Sequence, residues 1–163
     1  MRNTGYNHSV FMLSVTLAFG VVTYARLIAS VASDATVAVC FSPEDDCAAF
    51  AESTIDGAER NILVSAYRLT VGSGIVGALI RAKERGVDVR VIADRGAPCG
   101  RASGIEPLAA AGVPLGIDDT ARIAHANTMV IDGVVTLQGS YNWTHAAALQ
   151  REDWCRYSSA EPH

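Results

Sequence analysis

Apolar and polar positions alternate with a period of two in several short stretches of the chain, and recur at three- and four-residue spacing in the stretches between them. Residues 36–41 (TVAVCF), 62–67 (ILVSAY) and 87–94 (VDVRVIAD) predict three strands. After the first, Ser42 as an N-cap and Pro43 at the first helical position predict a helix running to about Arg60. After the second, Ser73 is set to cap a helix through Arg85, with Ile75, Leu79 and Ala82 on one face and Gly86 ending it. A loop with Gly96, Pro98 and Gly100 then leads to a short helix near 104–111 and a strand over 113–117. Residues 123–126, 128–131 and 134–137 predict short strands around the Asp132-Gly133 turn. A helix over 142–150 and a last strand over 154–157 complete the pattern. Repeated βα units predict an α/β sandwich with a mixed, mostly parallel sheet flanked by helices.

The N-terminal pattern is different. Residues 9–25 carry no charge, Arg2 and Arg26 flank them, and small residues follow, with Ser30-Val31-Ala32 fitting a small-x-small cleavage site. This predicts a signal peptide over 1–32 or, in the alternative, an uncleaved membrane anchor. The domain is then expected over 36–158, with 159–163 as a tail, and to work outside the cytoplasm, in the periplasm or secreted. The whole chain of 163 residues has 13 Lys+Arg, 17 Asp+Glu and a net charge of −4. Without 1–32 the balance is 11 basic against 17 acidic, a charge of −6. Such a domain does not coat nucleic acid through a broad basic face. A hydrophobic fraction of 50% excludes a disordered chain. The four cysteines, Cys40, Cys47, Cys99 and Cys155, allow three pairings; Cys40 and Cys47 flank a short acidic turn that they would close into a small loop. No CxxC or P-loop occurs, and neither a zinc site nor a nucleotide cofactor is expected.

Chemistry concentrates between His125 and Glu152. His125 and Asn127 lead a short apolar strand that ends at Asp132, and six residues later come Gly139, Ser140 and Asn142. An imidazole can attack phosphorus directly and form a covalent intermediate. Ser140, Asn142 and the N–H groups opening the following helix are suited to phosphate oxygens. Tyr67 and Arg68 end a strand near where such sites open, and His145 lies three residues beyond Asn142. For Tyr141, Trp143 and Trp154, packing is the default reading and base or acyl stacking the alternative.

This stretch resembles the motif of the phospholipase D superfamily, HxK(x)4D(x)6GSxN. His125, Asp132, Gly139, Ser140 and Asn142 match at the right intervals, and Asn127 stands where that family has lysine. The resemblance extends over about 38–157 to the small branch with one motif per chain, which includes secreted endonucleases and mitochondrial-surface relatives. It implies metal-independent hydrolysis of phosphodiesters, in nucleic acid or phospholipid, through a phosphohistidine. It also implies a homodimer, with His125 of one subunit as nucleophile and His125 of the other as general acid. Asp132 would orient the motif, Asn127, Ser140 and Asn142 would contact phosphate, and Glu152, or its neighbour Asp153, would be the downstream acid. Lys83 is the one lysine, and it lies on the predicted second helix, away from the motif. Arg122 and Arg151 are the nearer sources of charge. The alternative is an impaired homologue that binds phosphate-containing ligands or only assembles.

Overall fold

The computed structural model describes residues 35–98, 102–120, 125–149 and 154–159. The elements are β1 (Thr36–Phe41), α1 (Cys47–Asp56), β2 (Asn61–Ala66), α2 (Ile75–Glu84), β3 (Asp88–Asp94), α3 (Ile105–Ala110), β4 (Leu115–Asp118), β5 (Asn127–Ile131), β6 (Val135–Gly139) and β7 (Trp154–Ser159). The described strands form one sheet in the order β1-β7-β6-β5-β2-β3-β4. The expected mixed α/β architecture is present. Five strands point one way and only β5 and β7 the other, yet parallel pairing is confined to β2-β3 and β3-β4, and the other four pairings are antiparallel.

Alternation decides which face is buried. Ile62, Val64 and Ala66 on β2, Val89, Val91 and Ala93 on β3, and Met129 and Ile131 on β5 point inward. The same core holds Ala51 and Ile55 of α1, Ile75, Leu79 and Ala82 of α2, and Leu108 of α3. Full burial of each large aliphatic side chain contributes about 1.5–3 kcal/mol. Leu63 and Ile92, one residue out of step, are 48% and 56% exposed on the opposite face. There they flank a groove of about 510 Å³ with Leu115, Gly116 and Val130.

Three expected helices differ, and His125 and Ala126 of the strand expected over 123–126 lie ahead of β5 instead. The first helix begins at Cys47, not Ser42, because residues 41–45 close a turn in which Asp45 N–H donates to the Phe41 carbonyl at 2.7 Å. Asp46 is the cap, accepting from Ala49 N–H at 2.9 Å. Ser73 does not cap α2; its hydroxyl donates to the Thr70 carbonyl, and Gly74, at φ +78°, occupies the cap position. In place of a helix over 142–150 there is a single 3-10 turn at Ala147–Leu149. Tyr141 and Trp143 are both fully buried, which demands extended backbone, and Trp143 forms a parallel bridge with Leu69. Core burial of two aromatics outweighs the helix preference of the alanines that follow.

A disulfide joins Cys40 to Cys47, one of the pairings left open by the sequence. Cys155 stands opposite Cys40 in the β1–β7 register, and Cys99 lies outside the described residues. Among the described residues no helix is long and apolar enough to cross a membrane.

Candidate active site

Antiparallel pairing brings the start of β5 beside the end of β2, with Ala66 opposite Asn127. The Tyr67 N–H donates to the Ala126 carbonyl at 2.7 Å and to Asn127 Oδ1 at 3.3 Å, which fixes the backbone on which His125 stands. His125 is exposed, and its ring centre lies 4.4 Å from that of Tyr67 at an interplanar angle of 55°. A cavity of about 450 Å³ is lined by His125, Asn127, Thr128, Gln138, Gly139 and Ser140. A second, of about 470 Å³, is lined by Tyr67, Arg68, Thr70, Asn142, Thr144 and His145. Tyr67 and His125, in ring contact, connect the two. Histidine, serine and asparagine of the motif thus converge on one end of the sheet, and His145 joins them through its N–H to Thr70 Oγ1 at 3.2 Å.

Asn127 occupies a different kind of position. It is 3% exposed. Its Nδ2 donates to Asn142 Oδ1 at 3.1 Å and to the Ser140 carbonyl at 3.4 Å. Both amide hydrogens are therefore engaged within the protein, and the side chain ties the Ser140–Asn142 segment to β5. Buried amides satisfied in this way position their neighbours rather than meet ligands.

Asp132 stands apart. Seven residues of near-extended chain at about 3.3 Å each put it roughly 20 Å from His125. Its carboxylate accepts from the N–H groups of Arg60 at 2.7 Å and of Glu59 and Asn61 at 2.9 Å. Arg60 Nη2 in turn donates to the Asp132 carbonyl at 2.6 Å. Burial works to raise the carboxyl pKa, but the three N–H donors and the Arg60 charge outweigh it and hold it below the usual range. Asp132 clamps the β5–β6 turn to the start of β2 and does not share a cavity with His125. Orienting the motif from a distance is consistent with this place; contact with reacting atoms is not.

Glu152, Asp153, Arg122 and Arg151 lie outside the described residues. Tyr141 and Trp143 are core residues, so the stacking alternative does not hold for them. Among the described residues no group of His, Cys, Asp and Glu is arranged to hold a metal ion. Arg68 belongs to this end of the sheet too, its guanidinium carbon 5.3 Å from the Tyr67 ring centre. Its adjacency to Tyr67 was the signal available in the sequence.

A family model described as "Cardiolipin synthase, PLD-like domain" matches residues 52–161. The phospholipase D of Rickettsia felis is 38% identical over 111 residues, 68% of this chain and 55% of that protein. The mitochondrial cardiolipin hydrolase of Xenopus tropicalis is 35% identical over 97 residues, 59% of this chain and 46% of that protein. The chain therefore spans about half the length of the curated relatives it matches. Among solved structures, Nuc from Salmonella typhimurium, a phospholipase D family member, superposes with a TM-score of 0.72 at 32% identity, covering 79% of this chain and 86% of that one. NucT from Helicobacter pylori, at 18% identity, gives 0.66 over 77% and 86%, a likeness of fold.

Proposed function

Given that the chain belongs to the PLD-like family, we propose that it is a phosphodiester hydrolase whose covalent intermediate is a phosphohistidine on His125. The observation that carries this reading is the exposed imidazole two residues ahead of β5, opening on the cavity that Ser140 lines, with Asn142 held beside it by Asn127. In the proposed reaction the imidazole attacks phosphorus and the leaving alkoxide departs with a proton. Water then attacks the phosphohistidine and releases the phosphomonoester. The proton donor is His125 of a second copy, because each chain carries one motif; the two imidazoles would exchange acid and base roles between the steps. Glu152 is the acid assigned to support this exchange. No metal enters the scheme.

The substrate class follows from two lines of support. Relatives named phospholipase D and cardiolipin hydrolase favour a phospholipid, and the motif's resemblance to small endonucleases favours nucleic acid. The uncharged run at 9–25 and the Cys40–Cys47 bond support export. A second reading, phosphate binding without turnover, is favoured by one observation: Asn127 brings no charge to the site and its donors are engaged elsewhere.

The test is hydrolysis of DNA, RNA and cardiolipin vesicles in EDTA by the wild type and His125→Ala, with acid-quench trapping of 32P-labelled enzyme. Metal-free turnover and label are expected in the wild type and neither in His125→Ala. Turnover that survives His125→Ala removes the phosphohistidine. An inert wild type that still binds phosphate ligands establishes the second reading.

A further inference from the structure

A phosphodiester brings a negative charge to the site, and attack at phosphorus shifts more onto its oxygens, so a fixed cation does much to lower the barrier. β5 supplies none, since Asn127 is neutral, buried and engaged. Four other described arginines are committed elsewhere. Arg81 and Arg85 pair with Asp56 at 2.7 and 3.5 Å, Arg90 pairs with Asp88 at 2.8 Å, and Arg60 holds the Asp132 turn.

Arg68 is placed differently. It is exposed, it follows Tyr67 at the end of β2, and it lines the cavity that contains Asn142 and His145. Its guanidinium carbon lies 5.3 Å from the Tyr67 ring centre, and His125 lies 4.4 Å from the same ring. Arginine and imidazole are therefore no farther apart than those two distances laid end to end. Arg68 Nη1 donates to the Gly96 carbonyl at 3.3 Å, a neutral acceptor. The acid on that loop, Asp94, accepts from Gly96 N–H at 2.8 Å.

We propose that Arg68 is the phosphate-binding cation of this site, delivering from the end of β2 the charge that β5 lacks. The planar fork suits two phosphate oxygens at once, and the Tyr67 face holds it within a side-chain rotation of His125. The assignment deepens the hydrolase reading and rests on it for turnover, though not for phosphate binding.

Two measurements on the 163-residue chain separate these: calorimetric titration with inorganic vanadate, and turnover of bis(4-nitrophenyl) phosphate. Arg68→Gln is expected to weaken vanadate by about tenfold or more and to lower kcat by about 10²–10³. Arg68→Lys should keep most of both. Adding Asn127→Lys to Arg68→Gln should restore vanadate binding, because charge returns from β5. Equal vanadate affinity in wild type and Arg68→Gln overturns the proposal, as does a wild type that binds no vanadate. A loss that Arg68→Lys fails to repair, with a lowered melting temperature, also overturns it by marking a brace on the Gly96 loop. Arg68-dependent vanadate binding without turnover keeps the cation and removes the hydrolase reading instead.

Discussion

Asp132 matches its motif position yet sits at the far end of β5 from the histidine, where it accepts three backbone N–H groups and adopts φ +55°. Asp132→Ala strands those donors and should cost about 2 kcal/mol in urea unfolding. Asp132→Asn tolerates the same backbone conformation and should cost about half as much. Because the folded carboxyl is held below its ordinary pKa of about 3.9, its contribution is complete above that value and is lost as pH falls through the lower folded one. The Asn variant should accordingly lose stability less steeply below about pH 4, and parallel acid limbs would show that the charge contributes nothing. Asn127→Ala releases Asn142 and the Ser140 carbonyl; turnover should fall with a stability loss of about 1–2 kcal/mol. Unchanged kcat would show that Asn142 needs no tether. The convergence of His125, Ser140 and Asn142 was legible because a short hairpin joins their strands. That of Arg68 was not, because it depends on β2 and β5 pairing across a sequence separation of 60.

At the level of elements, the strands were readable wherever one face is buried: β2 and β3 alternate cleanly, and their bounds fall within a residue of expectation. Helix starts were harder. Ser42 and Asp46 are both good caps, and the choice between them was made by the turn at 41–45 and the bond from Cys40 to Cys47. The segment after Asn142 misled for a tertiary reason, since Tyr141 and Trp143 obey the core rather than local propensity. Two measurements check the element scale. Asp46→Ala should destabilise by about 1 kcal/mol through loss of the cap on α1. The double change Cys40→Ser/Cys47→Ser should cost about 2–3 kcal/mol, as expected for closing so short a loop. A melting temperature indifferent to reductant would contradict the second.

At the scale of the molecule, a site completed by a second copy predicts a particle of twice the 17.2 kDa chain in sedimentation, with turnover per chain that falls on dilution. Undiminished turnover from a monomer would remove the shared site. The strand order carries a different consequence. β1 pairs with β7 and is otherwise an edge, so the first described strand waits for the last. On a ribosome adding ~5–20 residues per second, that interval is on the order of ten seconds. Throughout it an uncharged TVAVCF segment, with Val37, Val39 and Phe41 still about half exposed even in the finished sheet, is an open template for a neighbouring nascent chain. Until β7 is in place, this first strand is therefore the part of the fold most open to pairing with another chain.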